Sequence, residues 1–133
     1  MKIFESTITD RLKESLTKFN NQSDYMELRL EETHRLSINY SEKGIKRLGH
    51  DEKIGGCVRV CVNGGWGFSS FTDLSKITTS ATEAIESAKI LGQSKTSLAD
   101  VPVVDEHVSL DLLNDPRNRT LESKLNILES YLG

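Results

Sequence analysis

Cys57 and Cys61 stand four residues apart, and thiols so spaced could hold a soft metal or close a disulfide. The valine-rich run around them predicts a strand, however, on which four residues span ~13 Å, too far for one metal ion or one S–S bond. They read as two free thiols on one strand face. Asp105-Glu106-His107 sets three potential ligands in a row. Successive side chains on an extended chain point opposite ways, so convergence there needs a turn, or help from His34 or His50. The segment reads as a solvated connection. Gly55-Gly56 and Gly64-Gly65-Trp66-Gly67 have the glycine density of a phosphate loop. No Gly-Lys-Ser/Thr follows either stretch, and the second falls inside a hairpin, so turn and close-packing roles are expected. Ser69-Ser70 offers hydroxyl nucleophiles with no base nearby in sequence. What remains is contact chemistry. Arg59, Trp66 and Phe68 are the candidates for an interface or a peptide contact. Arg59 is expected to pair with Glu27 or Glu31, a surface ion pair worth ~0–1 kcal/mol.

These residues sit in the most clearly specified element, a hairpin. Val58, Val60 and Val62 share one strand face because side chains alternate. A two-residue turn at Asn63-Gly64 puts Trp66 opposite Cys61, away from the valines. A three-residue loop, Asn63-Gly64-Gly65, puts Trp66 opposite Val62 and Phe68 opposite Val60. Only the second register gathers all five large apolar residues on one face, so burial favours it. Gly65 would then take the left-handed position of the loop.

The other elements follow from periodicity. Ile8, Leu12, Leu16 and Phe19 predict an amphipathic helix over about 4–20. Met26, Leu28 and Leu30 alternate with charged residues, as do Leu36, Ile38 and Tyr40 with polar ones, which predicts two strands. Ser41-Glu42-Lys43-Gly44 is a turn, and 45–48 a short strand. A second helix has its cap at Thr72 or Asp73, a buried stripe of Ile77, Ala81, Ala84, Ile85, Ala88 and Leu91, and Gly92 at its end. Its alanines would let it pack close to a sheet. Residues 93–117 form an extended connection with a short strand around Val101–Val104. Thr120 caps a third helix, with Leu121, Leu125, Leu128 and Leu132 on one face. That helix has no stop signal before Gly133, so a longer polypeptide is expected.

The expected class is α+β: an antiparallel meander of about five strands with helices packed on one face. The 133 residues read as one domain, with a core over about 4–92, an extended segment over 93–117 and a helix over about 118–132. Hydrophobic residues make up 36% and charged residues 28%, a globular balance, and the net charge of −3 with no basic stripe argues against nucleic acid as a partner. No apolar run approaches the ~20 residues of a membrane helix, and residues 1–6 lack the apolar core of a signal peptide, so a cytoplasmic location without a membrane partner is expected.

The chain resembles the N-terminal region of the TldD/PmbA family, whose members are often labelled modulators of DNA gyrase. The resemblance rests on Tyr25-Met26-Glu27-Leu28-Arg29, Lys43-Gly44-Ile45, Gly56-Cys57-Val58-Arg59-Val60, and Gly65-Trp66-Gly67-Phe68-Ser69-Ser70 followed by Asp73-Leu74-Ser75. Lys124-Leu125-Asn126-Ile127-Leu128 also looks like the helix after the family's first sheet. The resemblance implies a cytoplasmic zinc metallopeptidase, working as a homo- or hetero-dimer on peptide substrates. Its His-Glu-x-x-x-His motif lies in a separate C-terminal domain, where zinc would bind. None of His34, His50 and His107 begins a His-Glu pair, so no catalytic or metal residue carries over. The implied role of this chain is non-catalytic: support for the catalytic domain, the peptide cleft and the dimer. The alternative is a stand-alone protein- or peptide-interaction module without enzymatic activity.

Overall fold

The computed structural model describes residues 2–132, with side-chain detail from Thr7 onward. The order is helix α1 (Lys2–Phe19), strands β1 (Tyr25–Ser41), β2 (Gly44–Val62) and β3 (Gly65–Phe71), then helices α2 (Ile77–Leu91) and α3 (Leu121–Ser130). The strands form one three-stranded antiparallel sheet in the order β1-β2-β3. The class is α+β as expected, but the strand count is three rather than about five. The stretches 25–31 and 36–40 are parts of one strand, and so are 45–48 and 58–62. The intervening Glu32-Thr33-His34-Arg35 contains neither Gly nor Pro to break the ladder. Its side chains are polar on both faces, which erases the alternation without ending the strand. The expected strand at Val101–Val104 is absent; these residues have no regular structure.

Contacts divide the chain into two compact units, residues 1–34 with 52–98, and residues 35–51 with 99–133. The first holds the apolar core. Val58, Val60 and Val62 of β2 and Phe71 of β3 pack against Ile77, Ala81, Ala84, Ile85 and Ala88 of α2, with Phe19 of α1 closing the cluster. Leu12, Met26, Leu28 and Leu30 pack around it. Each large side chain buried this way contributes roughly 1.5–3 kcal/mol. Leu91, expected in the helix stripe, is instead 64% exposed.

The hairpin register differs from the expected one. Cys61 pairs with Trp66, Val62 with Gly65, and Arg59 with Phe68. The turn is the two-residue Asn63-Gly64 type, both residues at positive φ (48° and 77°), matching the mirror-image turns that suit strand twist. Trp66 and Phe68 therefore leave the valine face, and Gly65 and Gly67 take it. The reason is the closeness of α2. A Cβ on Gly67 would stand 1.8 Å from the Ala84 carbonyl oxygen, and one on Gly65 2.2 Å from that of Ala88. The helix backbone occupies the space that large side chains would need.

The cap expected for the second helix at Thr72 or Asp73 falls on a 3-10 turn ahead of it, and α2 itself starts at Ile77 after Lys76 with no side-chain cap. The Asp73 carboxylate accepts from the Ser75 N–H, 2.8 Å away, and caps a single 3-10 turn ahead of α2. This bond holds the Asp73 carboxyl below the usual carboxylate range. Gly92 ends α2 in extended, not left-handed, backbone (φ −71°), its N–H donating to the Ala88 carbonyl. In the second unit, the Thr120 hydroxyl accepts from the Ser123 N–H to cap α3. The Tyr40 hydroxyl donates to Glu129 at 2.6 Å, tying α3 to β1. Among the described residues, no helix is long and apolar enough to cross a membrane.

Gly67→Ala is expected to lower stability by about 1–3 kcal/mol through forced separation of α2 from β3. Urea unfolding monitored by circular dichroism measures it. Phe68→Ala, at a 62% exposed neighbouring position, should cost less; equal losses would count against the close-approach account.

Candidate functional site

With the valine face covered by α2, the opposite face of the sheet carries the sequence candidates. Strand alternation brings Tyr25 and Glu27 of β1, Arg59 of β2, and Trp66 and Phe68 of β3 to this face. Arg59 is at its centre. Its Nε lies 3.0 Å from Glu27 Oε1 and its Nη2 3.3 Å from Oε2, so the guanidinium meets both carboxylate oxygens. This is the Glu27 pairing expected from the sequence, in the bidentate form that fixes orientation as well as charge. The guanidinium carbon lies 5.0 Å from the centre of the Trp66 ring, within cation–π reach. Tyr25 meets Trp66 edge-on, with ring centres 6.0 Å apart and planes at 64°. The Tyr25 hydroxyl donates to Glu27 Oε2 at 2.7 Å.

Four side chains thus brace each other. Glu27 accepts from both Tyr25 and Arg59, and Arg59 and Tyr25 both contact the Trp66 indole. The bond to Glu27 pushes the Tyr25 hydroxyl above its ordinary pKa, helped by burial and the carboxylate charge and opposed by Arg59. Trp66 is nonetheless 40% exposed and Phe68 62%. Trp66 does not join the core, contrary to the sequence expectation. The patch combines a pre-oriented guanidinium with two open aromatic surfaces, the residue types that dominate binding hot spots.

β3 ends at Phe71, while β1 and β2 continue beyond it. An open concavity of about 440 Å³ follows, lined by Arg29, Glu31 and Thr33, by residues 53–57 and by Thr72. Gly56 is tightly enclosed there: a Cβ would meet the Arg29 carbonyl oxygen at 2.2 Å and the Phe71 ring at 2.7 Å. The glycine pair Gly55-Gly56 is thus a packing feature, as read from the sequence.

Cys57 and Cys61 share this face with Arg59, Cys61 directly opposite Trp66, but both are free thiols, Cys57 half-buried and Cys61 buried. The remaining candidates are not brought into the patch. Ser69 donates to the Glu83 carboxylate of α2 at 2.8 Å, a fixed hydrogen bond without a histidine relay. His34 has its two ring nitrogens against Glu32 (3.1 Å) and Glu52 (3.4 Å), on an exposed strand. Asp105, Glu106 and His107 are exposed in a segment without regular structure. The zinc implied by the resemblance does not fit the patch: its one carboxylate, Glu27, is taken by Arg59 and Tyr25, and a cation already holds its centre. Sequence reasoning missed Tyr25 as a member of the patch. The signal was present, since Tyr25 and Glu27 alternate with Met26 and Leu28.

Fold and patch together define an α+β domain that presents a braced aromatic–guanidinium surface on its sheet. Residues 26–91 match the family model described as PmbA/TldA metallopeptidase domain 1. Over 127 residues, 95% of the chain, the sequence is 32% identical to Metalloprotease slr0863 of Synechocystis sp. (strain ATCC 27184 / PCC 6803 / Kazusa), of whose length it spans 27%. The chain belongs to the PmbA/TldD family, with residues 26–91 as its first domain.

The Tyr25–Glu27 bond has a measurable sign. A phenol pKa raised by folding means that the folded state holds this proton more tightly. The contribution to stability is complete below pH ~10 and is lost as pH climbs from there through the folded pKa. Glu27→Gln should lower the ionisation midpoint of one tyrosine in a phenolate-absorbance titration, and Tyr25→Phe should remove that transition. A titration unchanged by Glu27→Gln would show that the bond does not form in solution.

Proposed function

We propose that this chain acts, without catalytic chemistry of its own, as the N-terminal domain of a zinc-dependent PmbA/TldD peptidase. It docks the catalytic part, helps wall the peptide cleft and takes part in dimer assembly. The observation that carries this reading is the open sheet face of Arg59, Trp66 and Phe68. Two aromatics 40% and 62% exposed beside a held guanidinium suit a second protein surface or a peptide better than water. The family match and the metalloprotease relative supply the context. Zinc would supply water activation from a His-Glu-x-x-x-His helix, a motif this sequence does not contain. β1 and β3 are the outer strands of the sheet, so their backbone edges suit an extended peptide joining by strand addition. The work is expected in the cytoplasm.

In a full-length family polypeptide carrying this domain, Phe68→Asp together with Trp66→Ala should lower kcat/KM for peptide cleavage at least about tenfold, the ~1.4 kcal/mol scale of a lost contact residue. The chain itself should remain folded by circular dichroism. Unchanged cleavage would remove the patch from cleft and interface alike. Reading the source gene past codon 133 tests the broader claim. An open frame with His-Glu-x-x-x-His supports it, and a stop codon close behind overturns it in favour of a stand-alone interaction module.

A further inference from the structure

Away from the aromatic patch, the β1–β2 ribbon gathers a second set of chemically able side chains. His34 of β1 stands between two carboxylates. Its Nε2 lies 3.1 Å from Glu32 Oε1, and its Nδ1 lies 3.4 Å from Glu52 Oε1. Glu52 is on β2, two residues past His50, so strand alternation turns both to one sheet face. Each of His34, His50 and Glu52 brings a ligand atom within 4.8 Å of the other two. All three residues are exposed, so no packed neighbour locks their rotamers.

These distances suit a small divalent cation. Zinc binds imidazole nitrogen at ~2.0–2.1 Å and carboxylate oxygen at ~2.0–2.2 Å, so neighbouring ligand atoms of a tetrahedral site stand ~3.3–3.5 Å apart. The His34–Glu52 separation of 3.4 Å already has that length. Three atoms no more than 4.8 Å apart lie within about 2.8 Å of a common centre, so an inward turn of under ~1 Å per atom brings each to bonding distance. Two imidazoles and one carboxylate are a donor set that zinc accepts in three-ligand sites. Glu32 supplies the outer contact such sites use. With Nδ1 of His34 turned to the cation, its Nε2–H donates to Glu32, which fixes both the tautomer and the ring orientation.

We propose that His34, His50 and Glu52 bind one zinc ion, with Glu32 orienting His34 and water in the fourth position. The ion clamps β1 to β2 where the side chains around it are exposed. His50 and Glu52 already make contacts of their own, which they exchange for coordination. The site is separate from the zinc implied for the catalytic part, and it stands whether or not the peptidase reading holds.

The test uses the 133-residue chain, free of any histidine tag and stripped with EDTA. Co2+ is titrated in and followed by visible absorption, and Zn2+ by competition and calorimetry. One equivalent should bind, with cobalt bands that zinc abolishes. His34→Gln, His50→Gln and Glu52→Gln should each weaken binding at least about tenfold, and Glu32→Gln about tenfold. His107→Gln, at the third histidine of the chain, should leave it unchanged. Zn2+ should raise the urea midpoint of the wild type and not that of His34→Gln, since an ion that binds only the folded state stabilises it. Circular dichroism confirms that each variant is folded. Absence of saturable binding overturns the site, as does binding that survives the joint loss of His34 and His50. Full affinity in Glu32→Gln overturns the orienting role alone.

Discussion

The fit of α2 against β3 governs the first unit. Gly65 and Gly67 on the strand meet the Ala84 and Ala88 carbonyl groups on the helix with no room for even one added carbon. Small residues on both elements bring helix backbone against strand backbone, and the valines of β2 fill the space beside them. Dense packing of this kind tolerates no insertion. It therefore decides the hairpin register, since any register with Trp66 or Phe68 beneath α2 would push the helix off the sheet.

The exposure of the aromatics follows from that constraint. Large side chains on β3 have only the far face available, and there Trp66 meets Tyr25 and Arg59. The core thus obtains its helix by displacing two aromatics onto the surface. A surface Trp and Phe are a liability in a free domain. Here the Trp is steadied by a guanidinium whose charge is balanced by Glu27, so the patch is ordered before any partner arrives. Pre-ordering lowers the entropy lost on contact, which is the physical link between the buried glycines and the proposed docking role.

Much of this was legible in the sequence, and the failures have physical causes. The alanine stripe of α2 and the Thr120 cap follow from local rules of spacing, and opposite charge narrows the partner of Arg59 to Glu27 or Glu31, of which Glu27 is the one it meets. The register did not, because the count of apolar residues per face omits the volume of the helix above the sheet. Gly65 and Gly67 are themselves the trace of that helix: glycine at alternate strand positions opposite valines implies a close backbone, and the alanines of α2 name the one that approaches. The strand count failed for a different reason. A ribbon solvated on both faces over Glu32–Arg35 shows no apolar alternation, so its continuity rests on the absence of any turn residue, a weaker signal than a periodicity. The patch was half legible, with Arg59, Trp66 and Phe68 named and Tyr25 overlooked.

The two units divide the labour differently along the same pair of strands. In the first, β2 is covered by a helix on one face and lies between β1 and β3, which pairs with it over Gly56–Val62, and its side chains are the most buried in the chain. In the second, the same strand continues over Gly44–Asp51 with exposed side chains and beyond the residues that β3 pairs. A strand gains its stability from neighbours rather than from intrinsic preference, so the distal half cannot owe its order to core burial. Its order comes from the ladder with β1 and from the Tyr40–Glu129 bond to α3.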